Sequence, residues 1–225
     1  MQYDKQKLNP CENIRKDDIN NVVVSEYKVS TPSKYTTFSL DDMREIICKC
    51  NKCNLCNTRK NVFFGEGNIH ARLMFIGEGP GADEDITGRP FVGRAGQLLD
   101  KIITAMEMKR EDVFIGNIVK CRPPQNRVPM PEEMSVCLPY LLKQIDCIRP
   151  EVIVLLGATA LHGFIDPKAA ITKSRGIWRK LIIDDSYEIW TMPTFHPAAL
   201  LRDPNKKKAV WEDMKMVMKK LEENA

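Results

Sequence analysis

Four short apolar runs limit what this chain can fold into: Leu73–Ile76, Val113–Val119, Val152–Leu156 and Tyr187–Met192. Each is nearly continuous, the pattern of a parallel strand buried on both faces. Helical patterns separate the runs, from about Ala95 to Met108, from Pro131 towards Arg149, and from near Ala158. Pro131 suits a first helical position, where no backbone N–H is needed. An amphipathic helix from about Asn205 to Glu223 closes the series. Strands alternating with helices predict an α/β fold: a three-layer α/β/α domain around a central four-stranded parallel sheet.

Upstream, Ser39 reads as a helix N-cap. Asp42 stands at the capping-box position, and Leu40, Met43, Ile46 and Ile47 form an apolar stripe. Earlier residues are polar apart from Val22–Val24. The expected division is therefore an N-terminal extension over 1–38, partly disordered, and one domain over 39–225. A hydrophobic content of 43% in 225 residues excludes wholesale disorder. Met1–Asp18 is polar and mixed in charge, unlike a signal peptide, and no apolar run approaches the ~18 residues of a membrane span. A cytoplasmic location is the expectation. The net charge of +4 permits an anionic partner without requiring one.

In such sheets ligands sit beyond the carboxyl ends of the strands. Three unusual segments occupy those places. The first runs from Gly77 to Gly96 and combines glycines at 77, 79, 81, 88, 93 and 96 with Glu78, Asp83, Glu84 and Asp85. The glycines let backbone approach a ligand, while the acids oppose a free phosphate and suit a general base or a cation-stabilising carboxylate. A solvated acidic turn is the plain alternative. Phe91, in the same segment, is placed either for the core or to stack on a planar base. The second segment follows Asn117, whose amide offers the donor and acceptor that reading a base edge requires, or else satisfies loop backbone. The third is Thr194–Pro204. There His196 precedes a proline in a rigid turn and could stabilise a developing anion or be merely structural. Leu200 and Leu201 read as core or as a wedge between stacked bases. Arg202, Lys206, Lys207 and Lys208 add positive charge for phosphates, or form a solvated helix start.

The chain has eight cysteines. Cys48, Cys50, Cys53 and Cys56 crowd one segment, with Cys121 and Cys137 further on. A C-x-x-C pair with two distant cysteines is a metal pattern that fits zinc or iron–sulfur alike. Spacing leaves Cys50/Cys53 and Cys53/Cys56 both open as the first pair. Cys11 and Cys147 fall outside any ligand spacing.

Together these segments resemble the family 4 uracil-DNA glycosylases, the iron–sulfur branch of that superfamily. The matching stretches are GEGPGADEDITGRPFVGRAG (Gly77–Gly96), NIVKCRPPQNRVP (Asn117–Pro129), PEVIVLLGATAL (Pro150–Leu161) and TFHPAALLRDP (Thr194–Pro204). The likeness spans roughly Asp41 to the C-terminus. It implies hydrolysis of the N-glycosidic bond of deoxyuridine in single- or double-stranded DNA, by a monomer with no membrane partner. The family's register about Arg59 and Phe64–Asn68 implies a 4Fe-4S cluster on Cys50, Cys53, Cys121 and Cys137, with Cys56 a bystander and the cluster structural. Phe91 is implied to stack on the flipped uracil, Asn117 to read its N3 and O4 edge, and His196 to stabilise O2. Gly77, Glu78 and Gly79 are implied to line the pocket, with Leu200 and Arg202 on the DNA. Where the best-known branch has a water-activating Asp, this chain has Gly79. Glu78 and Glu84 are then the candidate carboxylates, with Asn126 as a helper. The stretch Cys121–Asn126 lacks the His-containing insertion of the branch that bonds covalently to uracil, so ordinary turnover is expected.

Two other classes of protein fit less well. A non-catalytic DNA-binding module with a structural metal leaves the acidic glycine-rich segment and His196 idle. A phosphate-binding nucleotide enzyme would need the Lys-Ser/Thr of a P-loop, which the first segment lacks.

Overall fold

The computed structural model describes residues 27–28, 39–184 and 187–223. Its strands are β1 (Tyr27–Lys28), β2 (Glu66–Gly67), β3 (Leu73–Gly77), β4 (Phe114–Asn117), β5 (Val152–Leu156), β6 (Arg179–Asp184) and β7 (Tyr187–Thr194). Its helices are α1 (Leu40–Cys48), α2 (Ala82–Thr87), α3 (Arg94–Ala105), α4 (Pro131–Ile148), α5 (Gly157–Phe164), α6 (Ile171–Ser174), α7 (Pro197–Arg202) and α8 (Lys206–Glu223).

The strands form one sheet in the order β1-β6-β7-β5-β3-β4-β2. The four expected strands are its centre, and β7-β5-β3-β4 are mutually parallel. The sheet is wider than four strands and mixed: β6 pairs antiparallel with β7, β2 antiparallel with β4, and β1 parallel with β6. Of the β6 residues whose side chains are described, Leu181 alone is buried, so this strand, one in from the sheet's edge, lacks the continuous apolar run that marks a central one.

Alternate residues of the central strands feed two cores. Met74, Ile76, Ile153 and Leu155 pack with α1, α4 and α5 on one face. Leu73, Phe75, Val152 and Val154 pack with α3, α7 and α8 on the other. This period of two, buried on both sides, is why those runs read as continuous. Ser39 caps α1 as expected: its hydroxyl accepts from Asp42 N, and Asp42 accepts from Ser39 N in return.

β4 is shorter than Val113–Val119, because beyond Asn117 the backbone N–H groups of Ile118 and Val119 turn to the carbonyls of Gly77 and Glu78. Two segments expected as loops are short helices, α2 and α7. The acids Asp83, Glu84 and Asp85 occupy the first turn of α2, where its dipole favours them. The Val22–Val24 run, Cys11 and nearly all of the 1–38 extension lie outside the described residues. No described helix is long and apolar enough to cross a membrane.

Candidate active site

A cleft of about 790 Å³ opens over the carboxyl ends of β3, β4, β5 and β7. It lies where the sheet order changes direction: β4 pairs on one side of β3 and β5 on the other. All three segments singled out from the sequence meet there. Glu78 and Gly79 line it with Phe91, Asn117 and His196.

Gly77 lies beneath, between two of these groups. A Cβ at that position would come within 2.5 Å of Asn117 Oδ1 and 2.6 Å of Phe91 Cζ, so only glycine lets both side chains close on one slot. Phe91 is 7% exposed and sits at φ 46°, a left-handed conformation unusual for a phenylalanine. The loop is clamped by Arg110, which donates to Pro90 O at 2.5 Å and pairs with Glu66 and Asp100. Asn117 is 1% exposed. Its Oδ1 is one of two buried side-chain N/O atoms without a hydrogen-bond partner among the described residues. It therefore presents an unused acceptor at the base of the cleft.

His196 caps α7, and its Nδ1 accepts from Ala198 N at 3.1 Å. A ring nitrogen that accepts carries no proton, so Nε2 holds it and is the donor. Burial, reinforced by the charge of Arg202, lowers the ring to about 4, which keeps it neutral at physiological pH. The ring lies 5.7 Å from Phe91, stacked at 29°. Gly157, at φ 90°, opens α5 beside it; a Cβ there would lie 2.9 Å from His196 Cβ.

The two candidate carboxylates part company. Glu78 accepts from the hydroxyl of Thr159 through Oε2 and faces the cleft. Glu84 accepts three backbone N–H groups: Gly81 at 3.0 Å through Oε2, Val92 at 2.9 Å and Gly93 at 3.0 Å through Oε1. These bonds tie the start of α2 to the start of α3 and hold the loop that carries Phe91. Glu84 is thus occupied as a brace, which corrects its expected role as a base. Asn126 lines the cleft, with Oδ1 accepting from Arg122 Nε at 2.8 Å.

Leu200 is also corrected. It is 2% exposed, because α7 turns it into the core shared with α3 and α8. Its neighbour Leu201 is 39% exposed. Arg94, Arg127 and Arg202 stand around the cleft. Lys206 is drawn aside to Asp203 at 3.1 Å, while Lys207 and Lys208 are exposed on α8.

On the far side of β4, Cys50, Cys53, Cys121 and Cys137 line one small cavity, together with Cys56. Three donors point at these sulfurs: Arg59 Nη1 to Cys121 at 3.2 Å, Tyr140 OH to Cys50 at 3.4 Å and Lys120 N to Cys137 at 3.3 Å. Burial raises the thiols of Cys53 and Cys121, and that of Cys137 to about 12, so a bound cation would have to displace their protons. Among the described residues no group of three or more His, Cys, Asp or Glu is arranged to hold a metal ion.

The Uracil DNA glycosylase superfamily model matches residues 64–215. The chain belongs to the uracil-DNA glycosylase superfamily. It is 50% identical over 171 residues to a type-4 uracil-DNA glycosylase of Thermotoga maritima, covering 74% of this chain and 87% of that one. It is 46% identical over 188 residues to that of Saccharolobus solfataricus, covering 81% and 87%. A DNA polymerase of Bacillus phage SP01 is 30% identical over 159 residues, 70% of this chain but only 17% of the polymerase.

Within this superfamily fold, the sequence pointed to Phe91, Asn117, His196 and Glu78 but not to what supports them. Thr159 stands in a matching stretch, yet a threonine in a helical pattern carries no mark of its carboxylate partner. Lys120 is wholly buried beneath Asn117. Its ammonium donates to Asn117 O at 3.0 Å and to Gln144 Oε1 at 2.6 Å, while Gln144 Nε2 donates to Phe64 O. Burial lowers Lys120 to about 8 against the opposing pull of Cys137 and Cys121. A lysine beside a cysteine in a basic stretch reads as surface, so burial of this one was not legible.

Proposed function

We propose that this chain hydrolyses the N1–C1′ bond of deoxyuridine in DNA, releasing uracil and leaving an abasic site. The observation that carries this reading is the buried, unpartnered Oδ1 of Asn117. A buried polar atom left unpaired costs about 1–3 kcal/mol. Uracil N3–H is the donor that would satisfy it. Cytosine has no proton at N3, so two acceptors would face each other, and the same atom that rewards uracil penalises cytosine.

The other residues then take consistent parts. Phe91 forms a wall for the planar ring. His196 donates from Nε2 to uracil O2, where negative charge grows as the bond to the sugar breaks; a neutral donor already aimed there needs no proton transfer to help. Glu78, held by Thr159, supplies a carboxylate for the sugar, which becomes oxocarbenium-like, or for the attacking water. Rotating a base out of the stack costs a few kcal/mol. Arg94 and Arg202 offset that cost through phosphate contacts, and Leu201, exposed next to Arg202 on α7, is the apolar group offered for the vacated space.

The same reading places a 4Fe-4S cluster on Cys50, Cys53, Cys121 and Cys137. What supports it is the donor set: these sulfurs line one shared cavity, and soft thiolates are the ligands that iron–sulfur clusters take. N–H and O–H donors to the sulfurs are what such ligands require. The cluster is structural, and the hydrolytic steps use side chains alone.

Incubation with an oligonucleotide containing one deoxyuridine, followed by alkali, should cut the strand at that position. A strand left intact would overturn the assignment. Matched strands bearing cytosine or thymine should stay whole.

A further inference from the structure

We propose that Cys56 is a reserve ligand of the metal centre, able to take the place of Cys53 on one iron. This rests on the iron–sulfur reading above and adds a fifth sulfur to it.

Three observations carry the inference. First, Cys53-x-x-Cys56 repeats the spacing of Cys50-x-x-Cys53. Second, Cys56 lines the same cavity as the four ligands, whereas Cys48 is exposed and does not. Third, Cys53 caps a 3-10 turn over Asn54–Asn57, and Cys56 N–H donates to Cys53 O at 3.2 Å. Both cysteines thus reach the cavity from one short segment of chain. Exchange therefore needs a side-chain rotation and little backbone movement. Only a weak surface contact opposes the rotation: the Cys56 thiol reaches Asn57 Oδ1 at 3.4 Å.

Exposure says where a spare ligand is useful. Cys121 and Cys137 are buried, but Cys50, Cys53 and Cys56 are partly open to solvent, and oxidants reach accessible sulfurs first. The exchange is balanced without any redox partner. With a cluster bound, Cys56 would lose its thiol proton as it replaced Cys53, and the Cys53 sulfur would take that proton up. Where a peroxide has oxidised Cys53, Cys56 would ligate in its place and its proton would leave to solvent.

The test compares the full wild-type chain with Cys56→Ser, Cys53→Ser, Cys53→Ser/Cys56→Ser and Cys121→Ser. Iron and acid-labile sulfide are measured per chain, with circular dichroism to register folding. Wild type must carry the cluster; a wild-type chain without iron and sulfide overturns the cluster reading itself. Cys56→Ser should match wild type. Cys53→Ser should keep at least half of the wild-type iron, while the double variant falls to the low level of Cys121→Ser. Iron loss in Cys53→Ser as complete as in Cys121→Ser, or equal iron in the single and double variants, overturns the reserve role. A second measurement is independent of how the variants fold. Holo wild type should show Cys56 open to iodoacetamide and Cys53 protected; after mild peroxide treatment Cys56 should become protected with the iron retained, while Cys53, now oxidised, stays unalkylated. Cys56 remaining open while iron is retained after oxidation of Cys53 overturns the proposal.

Discussion

Asn117 and His196 face the same cleft with opposite hydrogen-bonding needs, an acceptor without a donor and a donor without an acceptor. His196→Ala removes the donor aimed at the developing anion and should lower the single-turnover rate about 10²–10³-fold. Asn117→Ala should lower it at least as far, and a rate within a few-fold of wild type would remove either assignment. His196 also leaves a thermodynamic signature. Its folded value of about 4 lies below the ordinary 6.5. As pH falls between those limits, the unfolded chain takes up a proton that the folded chain refuses. Stability should fall with it, by about 3 kcal/mol at most, and the full contribution is present only above about pH 6.5. Denaturation midpoints of wild type and His196→Asn, measured from pH 7 to 4, check this: the wild-type midpoint should decline more steeply.

At the scale of elements, Glu84 links two helix starts through backbone N–H groups, whereas Glu78 bonds the Thr159 hydroxyl in the first turn of α5. Glu84→Ala leaves three backbone N–H groups without their acceptor. It should cost about 1–3 kcal/mol, lowering the melting temperature by roughly 3–10 °C, and loosen Phe91. Glu78→Gln should leave melting nearly unchanged and slow the chemistry. A stable Glu84→Ala with a collapsed rate would restore Glu84 as the catalytic carboxylate. The sequence hid this difference for a physical reason: both are glutamates in a glycine-rich segment, and only the turn of α2 decides which one points back at backbone. The six residues of α2 are too few to show a helical stripe. Likewise α7 has a proline at its first position, a legitimate helix start, but six residues show too little periodicity to reveal that Leu200 turns inward and Leu201 outward. The central strands were legible because every residue of β3, β4 and β5 is buried. β6 escaped notice because a partly covered strand near the sheet's edge has no such run.

At the scale of the whole molecule, the cysteines tie together parts of the chain that the sheet does not. Cys50 and Cys53 follow α1, Cys121 follows β4, and Cys137 lies in α4. Their spacing alone left two registers and two metals open. The fold brings Cys121 and Cys137 to the same cavity and leaves Cys50, Cys53 and Cys56 all lining it. The cavity also connects to the cleft. Lys120, whose N–H bonds to Cys137, holds the carbonyl of Asn117 with its ammonium, and Gln144 fixes that ammonium against Phe64. Metal binding at the cysteines should therefore act at a distance on the group that reads the base. Removing the proposed cluster would open a cross-link between distant segments, a constraint worth about 2–4 kcal/mol by analogy with other covalent loop closures, or roughly 10 °C in melting temperature. The activity should change in a particular way. If Lys120 passes the disturbance to Asn117, cluster-free protein should lose discrimination between uracil and cytosine as well as rate, while the His196 ring at the start of α7 stays in place. Lys120→Met, in protein that keeps its iron, should reproduce the loss of discrimination, and Lys120→Arg should restore part of it. Iron-replete Lys120→Met that still selects uracil as wild type does would show that the cluster braces the fold without reaching the base.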